Sequence, residues 1–259
     1  MLKKIVLFLL LIMVVTSACG KKDVKKDDLT SILQRDKIIV GVKDDTKPFG
    51  FRDKDGNLAG YDIDLAREIA KGLLGSENKV EFVSVTPSNR IMRLNNEDVD
   101  MLISTMSVTN QRQQVVDFSI PYYIAGQAIM VNSDSKAATI RDFTGKRMII
   151  VFGSTSEKTL RMNVPDVKVI GYKTYPEAYK ALKARKADAM VADDTILLGF
   201  TLSDKSVRLL NKRYSKEPYA VAFRKTNASK DLQYKVNYIL ENMQSSGKLN
   251  RLQEKWHIK

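Results

Sequence analysis

The chain has 259 residues, with 43 Lys and Arg against 30 Asp and Glu, a formal net charge of +13, one His and one Cys. A single cysteine excludes an internal disulfide, and the single histidine, His257, argues against a Cys/His metal site or a His-based nucleophile, so no metal or cofactor is expected. The positive charge is spread along the chain without aromatic-basic clusters, which reads as solvated surface suited to anionic lipid or wall polymers and not to nucleic acid.

Residues 1–18 have the form of an export signal: basic Lys3 and Lys4, an apolar stretch over 5–15, and the small cleavage residues Thr16-Ser17-Ala18. The apolar stretch is short for a membrane span. Cys19 follows directly, and Val-Thr-Ser-Ala-Cys-Gly resembles the lipobox of bacterial lipoproteins, although Thr16 stands where that motif usually has Leu, Val or Ile. The resemblance implies lipidation of Cys19 and an extracytoplasmic protein anchored to the cell membrane. Residues 19–30 are densely charged and read as a solvated tether.

The remaining chain alternates strands and helices. A β-branched strand is predicted over 37–42, a hairpin over 49–60 turning through Asp55-Gly56-Asn57, and a helix capped by Asp62 with Leu65, Ile69 and Leu73 at helical spacing. Strand 80–85, helix 88–95 and strand 99–104 complete one α/β lobe. A second series follows: strand 147–152, a helix from Ser154, strand 167–172, helix 176–185, strand 187–192, helix 195–201 and strand 207–210. Extended segments 122–131 and 216–223 connect the two series, and helices over 229–244 and 248–256 close the chain. The division expected is lobe 1 from 31–121 plus 222–259, lobe 2 from 127–215, and hinges at 122–126 and 216–221. Ligands of open α/β sheets lie at the carboxyl ends of strands, which puts the site between the lobes.

The run 103–119 carries the clearest chemistry. An apolar strand ends in Ser104, Thr105 and Ser107, and Thr109 or Asn110 can cap a helix with Arg112 in its first turn. Hydroxyls beside a guanidinium suit a carboxylate, which an arginine grips through two parallel hydrogen bonds; the same spacing also fits a surface arginine beside a Ser/Thr turn.

Taken with Val40-Gly41-Val42-Lys43, Pro48-Phe49-Gly50-Phe51, Gly60-Tyr61-Asp62-Ile63-Asp64-Leu65-Ala66, Phe118-Ser119, Tyr122-Tyr123, Ala187-Asp188-Ala189-Met190-Val191 and Glu217-Pro218-Tyr219, the chain resembles the type II, amino-acid-binding (family 3) solute-binding proteins of ABC importers over nearly all of 36–256. The resemblance implies an α/β, two-lobed periplasmic-binding-protein fold with two hinge strands, and a monomer that is not an enzyme. It implies that Arg112, Ser107, Thr105 and Ser104 receive an amino acid's α-carboxylate, helped by the Gly153-Ser154-Thr155-Ser156 turn with Thr155 foremost, and that Asp193 receives the α-ammonium, with Asp194 as the nearest rival. Asn89-Arg90-Ile91, Lys43 and Tyr175 resemble the glutamate/aspartate-binding branch.

A desolvated Lys43 and Arg90 favour a second carboxylate on the ligand, so glutamate or aspartate is expected, with glutamine the alternative if those charges are turned outward or paired on the surface. The partner implied is an ABC transporter permease. Two further classes are a periplasmic dehydratase-like enzyme, since the implied fold resembles that of periplasmic cyclohexadienyl dehydratase, and a surface adhesin.

Overall fold

The computed structural model describes residues 27–258. The signal and the Cys19 anchor therefore lie outside the described residues. Among those described, no helix is long and apolar enough to cross a membrane.

The first described element departs from the expected tether. Helix α1 (Asp28–Arg35) starts inside it, because the Asp27 carboxylate accepts the Thr30 amide and so caps the helix. Asp28 then pairs with buried Arg224, which ties α1 to the body. Residues 27–30 thus belong to the folded domain.

Chain order continues as β1 (Ile38–Val42), β2 (Asp45–Thr46), β3 (Gly50–Arg52), β4 (Leu58–Ala59), α2 (Tyr61–Leu74), β5 (Val80–Ser84), α3 (Arg90–Asn95), β6 (Met101–Ile103), α4 (Asn110–Gln113) and β7 (Val116–Ala125). Beyond it come β8 (Gln127–Asn132), β9 (Arg147–Val151), α5 (Ser156–Asn163), β10 (Lys168–Tyr172), α6 (Tyr175–Lys183), β11 (Ala189–Asp193), α7 (Asp194–Thr201) and β12 (Val207–Leu209). Strand β13 (Glu217–Arg224) and helices α8 (Lys230–Ser245) and α9 (Lys248–Lys255) finish the fold.

Two five-stranded sheets result, ordered β5-β1-β6-β13-β7 and β10-β9-β11-β8-β12, with a small β2-β3-β4 sheet beside the first. In each, three strands run parallel, β5-β1-β6 and β10-β9-β11, and the other two join antiparallel. Both faces of both sheets are covered, which is why the strands read as unbroken apolar runs. In β8, Ala128 and Met130 enter one core and Ile129 and Val131 the opposite one.

The lobes meet where β7 passes through Gly126 into β8 and where β13 returns. β13 pairs with β7 from Glu217 opposite Ala125 onward, so most of the expected hinges at 122–126 and 216–221 is a ladder within the first sheet. The turn itself narrows to Gly126 and the residues before Glu217. A Cβ on Gly126 would stand 2.6 Å from the Ser215 carbonyl, so only glycine lets the two crossings approach there. Asp194 braces this point: its carboxylate takes the Gly126 amide (3.2 Å) and pairs with Arg213.

Candidate functional site

The cleft between the sheets is closed. Arg112, on the first lobe, donates to the Gly153 carbonyl of the second at 2.9 Å, and Gly153, with φ +79°, packs so tightly that a Cβ would lie 2.4 Å from the Pro87 carbonyl. Gly199 meets Lys47 across the same gap.

The residues expected to form a site come together here. Lys43 follows β1, Arg90 opens α3, Ser104, Thr105 and Ser107 follow β6, and Arg112 lies in α4; Ser154 and Thr155 follow β9, Tyr175 opens α6 and Asp193 ends β11. Each therefore sits near the carboxyl end of a parallel strand or on the helix after it, where such sheets bind ligands.

On the first lobe, Thr109 caps α4 through the Arg112 amide (3.2 Å), and the guanidinium turns back to the Ser107 carbonyl at 2.7 Å. Arg90 donates to the Ser104 carbonyl at 2.7 Å and leaves its Nε buried without a partner, as is the Ser104 hydroxyl. Burial and the neighbouring Arg112 push the Arg90 guanidinium down to about 9, which still leaves it charged at neutral pH. The Thr105 hydroxyl spends its proton on the Ser104 carbonyl, and the residue takes a left-handed backbone (φ +48°).

On the second lobe, the Asp193 carboxylate accepts from the Tyr219 hydroxyl and the Gln127 amide and is 5 % exposed. Burial first, and then the nearby Glu217, push it up to about 7. Asp194, the rival, belongs to the hinge. The Thr155 hydroxyl is engaged with Glu217 (3.1 Å) and Gln127 (3.1 Å), and the Ser154 hydroxyl closes its own turn on the Val151 carbonyl. Both hydroxyls are thus held by the protein, and the helix start itself is what that turn presents. Tyr175 is buried, with Lys43 5.4 Å from its ring centre, and burial raises its phenol.

Lys43 is buried as expected, but its ammonium meets Asp45 at 2.6 Å. Burial lowers its affinity for a proton and Asp45 counteracts this. The premise of uncompensated positive charge at Lys43 is therefore corrected: the protein supplies the second carboxylate itself. Asp62 is a further correction. It does not cap α2, whose N-cap is Gly60; it is fully buried and accepts the Thr105 amide (2.9 Å) and the Tyr122 hydroxyl (3.0 Å). Burial pushes it up to about 7, while those donors and Arg90 pull it down.

Asp45, Asp62, Gln127, Glu217 and Tyr219 were not singled out as site residues from the sequence. For Asp45 a signal existed, since residues two apart in an extended segment share a side. Chemically, the cleft offers a buried guanidinium on one wall and a buried carboxylate on the other, which complements a zwitterion. Among the described residues no group of His, Cys, Asp and Glu could hold a metal ion.

Two covered sheets closing on a charged cleft define a two-lobed periplasmic-binding-protein fold. Residues 38–259 match the model of the bacterial extracellular solute-binding proteins, family 3, and the chain belongs to that family. It is 37% identical to the ABC transporter glutamine-binding protein GlnH of Bacillus subtilis (strain 168), over 94% of this chain and 92% of that one. It is 40% identical to a glutamine-binding protein of Geobacillus stearothermophilus, over 80% of this chain and 82% of the other. Among solved structures, an ancestral arginine-binding protein bound to glutamine superimposes with a TM-score of 0.80 at 37% identity, covering 86% of this chain and 98% of that one. The family is one of binding proteins, and the protein is not an enzyme.

Proposed function

We propose that the protein captures a polar α-amino acid outside the cytoplasmic membrane, glutamine foremost, and delivers it to an ABC importer. The observation that carries the class is the pairing of Arg112 and Asp193 on opposite walls of one closed cleft, the first to receive an α-carboxylate and the second an α-ammonium. Ser104, Ser107 and the start of α5 at Thr155 support the carboxylate end.

The choice of glutamine over glutamate follows from the Lys43–Asp45 pair. A carboxamide can accept from the remaining Lys43 donors or from Arg90 Nε and donate to Asp45, whereas a second carboxylate meets repulsion from Asp45 that offsets its attraction to Lys43. The two glutamine-binding relatives support the same choice. Tyr175, buried with its ring centre 5.4 Å from the Lys43 ammonium, lines this end. Lipidation at Cys19 would hold the protein at the membrane and is part of this reading.

Calorimetric titration of residues 27–259 with the twenty amino acids tests it. Glutamine is expected to bind with a micromolar or lower Kd, about −8 kcal/mol or stronger, and glutamate at least about tenfold more weakly. Equal or tighter binding of glutamate overturns the choice of ligand, and failure of every amino acid overturns the class.

A further inference from the structure

Asp62 is a buried carboxyl to which the proposed function gives no role, and the role argued for it rests on the reading of the cleft as an amino-acid site that prefers a carboxamide. Asp62 takes the amide of Thr105 at 2.9 Å. That amide belongs to a residue in the left-handed region, so the bond pins a turn an ordinary side chain disfavours. The same turn presents the Ser104 carbonyl, which receives both the Thr105 hydroxyl at 2.8 Å and Arg90 Nη1 at 2.7 Å. A continuous line of bonds therefore runs from Asp62 through Thr105 and Ser104 to Arg90, the cation whose Nε has no partner.

The groups around Asp62 are few. Tyr122 on β7 donates its hydroxyl at 3.0 Å, Arg90 on α3 supplies a positive charge, and the adjoining Tyr61 on α2 spends its hydroxyl on the Tyr122 carbonyl at 3.2 Å. No lysine or arginine forms an ion pair with Asp62 among the described residues. Its negative charge is therefore offset chiefly by donors, and its field falls on Arg90.

We propose that Asp62 is a positioning and specificity-determining residue, which holds the Ser104–Thr105 turn under Arg90 and offsets the Arg90 charge so that the subsite takes a carboxamide in preference to a carboxylate. When Asp62 carries a proton, that offset is gone and Arg90 favours an acidic side chain. Because its carboxyl is pushed up to about 7, the choice between glutamine and glutamate shifts with pH near neutrality. The α-ammonium end near Asp193 and Glu217 is shared by both ligands and cancels in the ratio of the two dissociation constants, while Lys43, paired with Asp45 at the end where the ligands differ, stays in place in the Asp62→Asn comparison.

The test measures Kd for glutamine and glutamate between pH 5.5 and 8.5 on the wild-type protein, Asp62→Asn and Tyr122→Phe. In the wild type the preference for glutamine should increase with pH; in Asp62→Asn it should be about tenfold smaller at pH 8 and no longer vary. Tyr122→Phe removes a donor to the carboxylate, so the rise should move to higher pH; it decides the matter if Asp62→Asn does not fold. A wild-type protein that binds glutamine while the ratio stays pH-independent, or variants that keep the wild-type ratio profile, overturns the role of Asp62 alone. A wild-type protein that does not bind glutamine overturns the ligand reading and this inference with it.

Discussion

Arg112 and Asp193 owe their value to burial, which strips them of water and makes each dependent on its partners. Replacing Arg112 with alanine should weaken binding of every ligand at least about thirtyfold, as truncating one member of a buried charge pair costs ~2–5 kcal/mol. Asp193 adds a pH signature. Its carboxyl sits at about 7 in the fold against 3.8 for a free aspartate, so the native chain holds the proton more tightly than the unfolded chain. Its contribution to the unliganded fold is therefore complete below pH 4 and is lost as pH rises through about 7. An α-ammonium favours the ionised form, so affinity should rise about tenfold from pH 5.5 to 7.5 and then level off. Asp193→Asn should bind weakly and show no such rise; a wild-type profile that is flat in calorimetry would remove Asp193 from the ammonium site.

At the scale of elements, helix α1 shows how a charged segment is recruited into a fold. Asp28 and Arg224 are 11 % and 9 % exposed, and Arg224 also donates to the Leu94 and Val99 carbonyls. Asp28→Ala strands that guanidinium, and a loss of ~3 kcal/mol is expected in urea unfolding. Ligand affinity should be unchanged, because Asp28 lies outside the cleft. The strand and helix succession was legible because each lobe buries its sheet on both faces and each helix on one. Asp27-x-x-Thr30 was missed because a capping residue looks like any acid in a charged run. Asp62 was misassigned for the opposite reason: it stands where a cap could stand, but its side chain is claimed by Thr105 and Tyr122, partners far away in sequence. The grouping of Arg112 with its hydroxyl neighbours was legible, since those lie within one strand-turn-helix. The side-chain end depended on which charge Lys43 meets, a matter of tertiary pairing.

For the whole molecule, closure depends on how nearly the lobes can meet. Gly153 has no room for a side chain against Pro87 and adopts a left-handed backbone. Gly153→Ala should therefore cost about 1 kcal/mol or a little more in stability, and it should hold the lobes apart, weakening glutamine binding about tenfold or more. With saturating glutamine, small-angle scattering should give the variant a larger radius of gyration than the wild type. Equal radii would mean that the rims close by another contact.

The network at Gln127 joins the first residue after the hinge to Asp193, Thr155 and, through Thr155, Glu217. In mechanical terms the load is carried next to the fulcrum, and the outer rims of the lobes are the long arms. A ligand too large by one methylene, seated next to that pivot, displaces the rims farther than it displaces the pivot. Such a molecule can be held and still leave the mouth ajar. A membrane partner that gauges the rims would then reject cargo that the cleft itself accepts, so the sharpest discrimination would be exercised at delivery and not at capture.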